Sequence, residues 1–278
     1  MTDVQGRTAF ITGGANGIGL GIARSLARVG VGLALADVDG DALARAKDQL
    51  AGTTRVETYV LDVRDRDAYA ATADAVEQAL GPVSLLFNNA GVLSAENVRR
   101  LTYDLWDWSL GVNLYGVING VQTFLPRMVE RGQGGHIVNT SSGAGLAVPG
   151  SGVLYSTAKF GVVGMSEALN AELKSAGIGV SVLCPGPVAT GIVERSAEAR
   201  PETGEPLSEA HAQRRAQQRT QTSLMLQQGA TIDAVGDMVL EAIRADALYI
   251  HTDRVMEELI RARNLALLAA MPDAVAIG

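Results

Sequence analysis

The stretch Thr8–Gly19, TAFITGGANGIG, decides the fold of this chain. Its first five residues are typical of a buried strand, and Ile18–Val29 after the glycines has the periodicity of a helix. The glycines at positions 13, 17 and 19 give the spacing GxxxGxG. A turn without Cβ atoms at a helix start lets main-chain N–H groups approach a pyrophosphate. Three glycines by themselves also fit a turn that binds nothing.

The alternation of strand and helix continues along the chain. Apolar strands separated by helices predict a parallel sheet that is covered on both faces. We therefore predict an α/β fold of the Rossmann type, one doubly wound domain over residues 1–278. The predicted strands are Thr8–Thr12, Gly32–Asp37, Val56–Leu61, Val83–Phe87, His136–Thr140 and Gly179–Leu183, and the predicted helices include Asp41–Leu50, Asp67–Leu80, one long helix around Tyr103–Arg131, and Tyr155–Ser175.

The segment 194–230 departs from this alternation. It is polar and rich in Gln, Arg and Glu, and it contains two prolines. A polar segment of this length predicts a lid over a site or a tolerated surface insertion. We expect a lid that is mobile when empty and closes the apolar run at 224–226 over a ligand. After it we expect a helix at Ile232–Arg244 and a helical tail over 251–278.

Composition and charge exclude several classes of protein. The chain has 278 residues and carries 23 Lys and Arg against 30 Asp and Glu, which disfavours a broad nucleic-acid surface. One cysteine cannot form an internal disulfide, and the three histidines lack metal-ligand spacing, so no metal is expected. Neither a secretory signal nor a membrane span is recognisable. We therefore expect a cytoplasmic protein that does not bind a membrane.

Asp37 points to the ligand of the glycine-rich turn. It ends the second strand, where a carboxylate can accept hydrogen bonds from both ribose hydroxyls of a dinucleotide. The same charge repels a 2′-phosphate, and no Arg or Lys lies within the turn. The sequence therefore favours NAD over NADP.

Tyr155 and Lys159 form a candidate acid/base pair. They are four residues apart in a segment that opens a helix, so both side chains lie on one face. A neighbouring ammonium lowers the pKa of a phenol, which makes it usable in proton transfer. The YxxxK spacing is also frequent by chance on surface helices.

Taken together, the motifs resemble those of the short-chain dehydrogenase/reductase family from about Thr8 to Thr190. The matching segments are TGxxxGIG at Thr12–Gly19, the acidic Asp62 after the third strand, NNAG at Asn88–Gly91, Asn113 in a helix, Ser142 thirteen residues before Tyr155, YxxxK itself, and PGxVxT at Pro185–Thr190. Non-catalytic relatives commonly lose the Tyr or the Lys, and both are present here.

The resemblance implies four catalytic residues. Tyr155 is expected to exchange a proton with the substrate oxygen, and Ser142 to polarise that oxygen. Lys159 is expected to bind the nicotinamide ribose and depress the pKa of Tyr155. Asn113 is expected to hold a water in a proton relay.

The resemblance also implies the residues that contact the cofactor. Asp62 and Asn89 are expected at the adenine side, and Val188 and Thr190 at the nicotinamide amide. The full expected set is Gly13, Asn16, Gly17, Ile18, Gly19, Asp37, Asp62, Val63, Asn89, Ala90, Gly91, Tyr155, Lys159, Pro185, Gly186, Val188 and Thr190.

The likeness is nearest to family members that carry TYDxxDWxxGVNLxGVING, here Thr102–Gly120, some of which oxidise lignin-derived aryl ether benzylic alcohols. We expect a bulky, uncharged, apolar or aromatic secondary alcohol or ketone as substrate, and a homo-oligomer, dimer or tetramer. Alternatives are an NADP-dependent biosynthetic ketoreductase and a non-catalytic dinucleotide sensor. The expected pocket walls are all apolar: Leu93, Ala144, Leu146, Val148, Leu154 and Ile192.

Overall fold

Seven parallel strands form one sheet in the computed structural model, which describes residues 2–150, 152–202 and 208–272. The strand order is β3-β2-β1-β4-β5-β6-β7, which confirms the predicted doubly wound α/β fold. The strands are β1 (Thr8–Thr12), β2 (Gly32–Asp37), β3 (Val56–Val60), β4 (Val83–Asn88), β5 (Gly135–Thr140), β6 (Ile178–Cys184) and β7 (Tyr249–His251).

The strand order reverses between β1 and β4. In open parallel sheets, the crevice at the carboxyl ends of such a switch point is the usual place for a ligand. Register places Thr12 beside Ala36 on one side of β1, and Ile11 beside Phe87 on the other. The glycine-rich turn therefore leaves the sheet at this crevice.

Helices cover both faces of the sheet. They are α1 (Gly17–Ala27), α2 (Gly40–Leu50), α3 (Arg66–Leu80), α4 (Tyr103–Leu110), α5 (Gly116–Arg131), α6 (Val153–Glu172), α7 (Ile192–Glu198), α8 (Glu209–Gln227), α9 (Ile232–Ala245) and α10 (Glu257–Ala269). Ile11 of β1 joins a buried cluster with α1 and α9, whereas Phe10 packs on the other face. There its ring lies 4.8 Å from Phe124 and 5.7 Å from Tyr69, between centroids. No helix among the described residues is both long and apolar enough to cross a membrane.

The prediction of one long helix at Tyr103–Arg131 is wrong in its centre. A π-helical turn over Gly111–Tyr115 separates α4 from α5, and the N–H of Gly116 donates to the carbonyl of Gly111. Such turns concentrate at functional sites because they reorient one side chain within a helix. The residue at the middle of this turn is Asn113.

The segment 194–230, expected to be a lid or a surface insertion, forms the helices α7 and α8 in its described part. Its composition, rich in Ala, Gln, Arg and Glu, consists of strong helix formers. None of the α8 residues is buried, and Leu224 and Met225 of the expected apolar patch are 61% and 51% exposed. Residues 203–207 of this segment lie outside the described part, as do residues 273–278 of the expected tail.

Candidate active site

The helix after the glycine-rich turn begins without a side-chain cap. Asn16 occupies the capping position of α1 but makes no capping hydrogen bond, and the first turn holds no acidic residue. By contrast, Asp39 caps α2 and Asp65 caps α3. The first N–H groups of α1 are therefore available to an anion such as a pyrophosphate.

Two glycines of this turn, Gly17 and Gly19, are needed for different reasons. Gly17 has a φ of +51°, in the left-handed region that other residues rarely adopt. A methyl group on Gly19 would lie 2.1 Å from the carbonyl oxygen of Gly13, so no side chain fits there. The turn therefore keeps its main chain close to whatever lies above it.

Asp37 lies against the same turn. Its carboxylate accepts hydrogen bonds from the N–H groups of Ala15, at 3.3 Å, and of Asp39, at 3.2 Å. Burial raises the pKa of Asp37, and these N–H groups counteract that rise. The carboxylate is thus held at the end of β2 with acceptor capacity left for ribose hydroxyls.

Asp62 has a partner that the sequence analysis missed. The Arg64 guanidinium binds both of its carboxylate oxygens, through Nε at 3.0 Å and through a terminal nitrogen at 2.6 Å. The hydrogen bond from Arg64 lowers the pKa of Asp62. Only the general rule that buried or half-buried charges find partners could have suggested this pair.

Asn89 braces the glycine-rich turn. Its side-chain amide donates to the carbonyl of Thr12 at 3.1 Å and to that of Gly13 at 3.3 Å. The N–H groups of Asn89 and Ala90 both donate to the Thr12 hydroxyl. The Asn89 side chain, which was expected to contact adenine, therefore also holds the glycine-rich turn in place.

Ser142, Tyr155 and Lys159 come together beyond the end of β5. The Ser142 hydroxyl lies close enough to Tyr155 to lower the pKa of its phenol, and the Lys159 Nζ lies 5.6 Å from the centroid of the Tyr155 ring. Lys159 is buried, and its ammonium donates to the carbonyl of Thr140 at 3.0 Å, which leaves two N–H donors free for another ligand.

The pKa values differ from the expectation that Lys159 depresses Tyr155. Burial raises the pKa of Tyr155, and the hydrogen bond with Ser142 is the influence that lowers it. Burial also lowers the pKa of Lys159 to about 8. Both shifts have the same cause, since removal from water disfavours the charged form of either group.

Asn113 joins this group from the π turn. Its Oδ1 accepts from the Val92 N–H, and its Nδ2 donates to the Val92 carbonyl, both at 3.0 Å. A methyl group on Gly91 would lie 3.1 Å from Asn113 Oδ1 and 3.6 Å from Lys159 Nζ. Asn113 Oδ1 and Lys159 Nζ therefore lie on the same side of Gly91, where a side chain on residue 91 would crowd them.

The PGxVxT segment is held by residues after β7 that the sequence analysis missed. The Gly186 N–H donates to the Thr252 hydroxyl at 3.0 Å. Gly143, next to Ser142, lies so close to Met256 that a methyl group there would be 2.5 Å from Met256 Cγ. The C-terminal part of the chain thus supports both sides of the site, although its sequence carries no motif.

Several expected contacts are limited to the main chain or change their role. Val188 is 3% exposed and packs in the core, as does Val63, so only their main chains can face a cofactor. Leu154 is 1% exposed and packs against Leu105 and Trp108, which makes it a core residue instead of a pocket wall. Of the other expected walls, Ala144 is buried, Leu93, Leu146 and Ile192 are partly exposed, and Val148 is 59% exposed.

Comparison with known proteins identifies one family to which this chain is similar. A family model described as short chain dehydrogenase matches residues 7–201. The C alpha-dehydrogenase of Sphingobium sp. strain SYK-6 is 43% identical over 203 residues, which cover 70% of this chain and 65% of that protein. The chain therefore spans less than two thirds of that relative's length.

Two solved structures resemble this chain over all or nearly all of its length. A short chain dehydrogenase/reductase from Burkholderia phymatum, in complex with NAD, has a TM-score of 0.90 and 34% identity, with 100% of both chains covered. The apo form of LigO from Sphingobium sp. strain SYK-6 has a TM-score of 0.81 and 36% identity over 98% of this chain and 91% of that one.

Proposed function

Since this chain belongs to the short chain dehydrogenase family, we propose that it interconverts a secondary alcohol and a ketone by hydride transfer with NAD. One observation carries the proposal. Ser142, Tyr155 and Lys159 meet at the end of β5, beside the uncapped start of α1. A phenol, a hydroxyl and an ammonium next to a dinucleotide site are the groups that proton transfer at the substrate oxygen and hydride transfer at its carbon require.

Each catalytic side chain has a separate task in this proposal. As the phenolate, the Tyr155 side chain takes the hydroxyl proton of the substrate alcohol while the hydride on the same carbon is transferred to NAD; in the reverse direction, the Tyr155 phenol gives the proton to the ketone oxygen. The Ser142 hydroxyl, which lies beside Tyr155, donates to the same substrate oxygen and fixes its position. NAD supplies the hydride acceptor. Lys159 binds the nicotinamide ribose with the two donors that Thr140 leaves free.

Asn113 supplies the way out for the proton. Its Oδ1 keeps one lone pair beyond the bond with Val92, directed at the space over Gly91 that also adjoins Lys159. A water in that space connects the Lys159 ammonium to solvent, so Tyr155 regains its starting protonation state after each turnover.

Asp37 supports the choice of NAD. Its carboxylate is fixed at the end of β2 by two N–H groups, in the position that accepts from ribose hydroxyls. The solved relative from Burkholderia phymatum is in complex with NAD. An extra phosphate on the ribose would face this negative charge.

The substrate class is a bulky, uncharged, apolar or aromatic alcohol or ketone. Of the expected walls, Leu93, Ile192 and Val148 are apolar and at least partly exposed, which supports this class. The C alpha-dehydrogenase relative supports a benzylic carbon as the reacting centre. A carboxylate-bearing substrate has no cation among these walls to pair with.

A spectrophotometric panel tests the proposal. Purified protein is offered aryl-substituted benzylic alcohols, alicyclic alcohols and the matching ketones, each with NAD(H) and with NADP(H), and reduced nicotinamide is followed by absorbance. We expect turnover of benzylic alcohols with NAD, and none by a Tyr155→Phe variant. Absence of turnover across the panel, with NAD bound, would favour the dinucleotide-sensing alternative.

We also propose that the chain forms a homo-oligomer, a dimer or a tetramer. Around α10, Leu265, Leu268 and Met271 are each more than 60% exposed, which a monomer would leave in water. Light scattering of the wild type and of a Leu265→Glu, Leu268→Glu double variant tests this. The cytoplasmic location stays a prediction, which cell fractionation would test.

A further inference from the structure

The short helix α7 carries a cation over the glycine-rich turn. A methyl group on Gly17 would lie 3.5 Å from a terminal nitrogen of Arg195 and 3.2 Å from Cγ2 of Thr190. A methyl group on Gly191 would lie 3.0 Å from the other terminal nitrogen of Arg195. The guanidinium therefore reaches from the start of α7 to the turn that opens α1.

The donors of this guanidinium are unused within the described part of the chain. Among those residues the Arg195 guanidinium makes no hydrogen bond and no ion pair within 4 Å, whereas the side chains of its neighbours do. Glu194 accepts from the Ser223 hydroxyl at 2.5 Å, and Arg200 pairs with Glu96 at 2.6 Å. Arg195 is thus an exposed cation at the turn whose charge interacts with that of Glu194 but whose guanidinium donors make no hydrogen bond to the described part of the chain.

The turn itself lacks the charge that a pyrophosphate needs. No Arg or Lys lies within Thr12–Gly19, and α1 offers only the partial positive charge of its N-terminus. A guanidinium adds a full charge and a planar pair of donors that matches two phosphate oxygens. Arg195 is the residue whose geometry provides them.

We propose that Arg195 is a cofactor-binding residue that pairs with the pyrophosphate of NAD. The inference rests on the proposed function, because it takes NAD as the ligand of the glycine-rich turn. It also gives α7 a second task. Ser196, the next residue, is attached to the segment after β4 on the substrate side, so cofactor binding and the seating of α7 are coupled through one helix.

Calorimetric binding of ligands with and without a pyrophosphate tests the inference. NAD, ADP-ribose and adenosine are titrated into the wild type, Arg195→Ala, Arg195→Lys and the control Arg214→Ala, whose side chain is exposed on α8. We expect Arg195→Ala to bind NAD and ADP-ribose about tenfold more weakly, with a smaller salt dependence and unchanged adenosine affinity. Arg195→Lys should retain part of the affinity, and Arg214→Ala all of it.

Hydrogen exchange supplies the second measurement. ADP-ribose should protect α7 in the wild type and protect it less in Arg195→Ala. Equal losses of ADP-ribose and adenosine affinity would make Arg195 merely structural, and unchanged ADP-ribose affinity would overturn the inference while leaving the proposed function intact. A wild type that binds neither NAD nor ADP-ribose would overturn both.

Discussion

The main-chain N–H of Leu93 donates a hydrogen bond to Ser196 Oγ across 2.7 Å, which attaches α7 to the segment that follows β4. A second link runs parallel to it, since Arg200 pairs with Glu96, and both side chains are nearly buried. The two links hold α7, which begins at the expected substrate wall Ile192, beside Leu93. The position of this helix thus depends on two polar contacts in addition to the buried side chain of Val193.

Ser196→Ala should loosen this attachment. The variant leaves the Leu93 N–H without its partner in a poorly hydrated place, at a cost of about 1–3 kcal/mol. We expect faster hydrogen exchange in α7 and a higher KM for the alcohol, with the global melting temperature little changed. Thr222→Ala on exposed α8 is the control, and identical exchange in both variants would contradict the role of Ser196.

Tyr155→Phe should abolish turnover and keep cofactor binding. The change removes only the phenolic hydroxyl, while the buried ring continues to pack. General acid/base groups contribute roughly 10²–10⁴-fold to a rate, so kcat should fall by that order. Tyr103→Phe, at an 87% exposed position, should change nothing. A kcat near normal in Tyr155→Phe would remove the tyrosine from the mechanism.

Asp37→Ala should narrow the preference for NAD over NADP. The variant loses acceptors for the ribose hydroxyls and the charge that repels a 2′-phosphate. We expect kcat/KM for NAD to fall about tenfold while that for NADP rises. Asp39→Asn removes a nearby charge but keeps a good helix cap, so it should retain the preference. Equal kcat/KM for both cofactors in the wild type would show that Asp37 does not select.

Gly91→Ala should impair the proton relay. The added methyl group would occupy the space between Asn113 Oδ1 and Lys159 Nζ, where the proposed water lies. We expect kcat to fall about tenfold, with a changed pH profile. Gly164→Ala is the matched control, because its methyl group would meet nothing within 4 Å in a helix that favours alanine. Equal kcat values for the two variants would leave the relay without support.

His136 is a buried group outside the active site whose protonation affects folding. Its Nε2 lies 2.8 Å from the Ser181 hydroxyl, which itself donates to the carbonyl of Ala247 at 2.6 Å. Ser181 therefore accepts from a protonated Nε2, which fixes the tautomer. Burial lowers the pKa of His136 to about 4.

This pKa predicts a loss of stability in acid. In the unfolded chain His136 is protonated below about pH 6.5, whereas in the folded chain it stays neutral down to about pH 4. The free energy of unfolding therefore falls as the pH drops from 6.5 to about 4. Between pH 7 and pH 5 the loss amounts to about 2 kcal/mol. Urea titrations at both pH values should show this difference shrinking in His136→Gln and persisting in His251→Gln, an exposed control. An equal stability difference in both variants would mean that a group other than His136 causes the loss in acid.

Local sequence signals were enough to predict six of the seven strands and the three side chains that meet at the end of β5. Strand patterning, the glycine spacing and the YxxxK pair each act over a few residues, so a linear pattern records them. The π turn at Asn113 leaves no such record, because its i→i+5 hydrogen bond competes with the helix only through small energy differences in the folded chain.

Features that depend on distant parts of the chain could not be predicted in this way. Met256 reaches Gly143, and Thr252 reaches Gly186, only because β7 is added at the end of the sheet. Arg195 lies over Gly17 only because the chain after Thr190 turns into α7 at that point. The helices of segment 194–230 were not predicted because polar composition describes exposure, whereas helix propensity describes conformation.

Val188 and Ala230 pair in an isolated parallel bridge, and the N–H groups of Ala189 and Ala230 donate to the carbonyls of Ala230 and Pro187. The stretch that carries α7 and α8 therefore begins and ends at one point, where its two ends are hydrogen-bonded to each other. Within it, α7 contacts the rest of the chain through Ser196 and Arg195, whereas α8 has no buried residue. Directed evolution toward new substrates can therefore vary α8 while the strands, the glycine-rich turn and the contacts of α7 are kept.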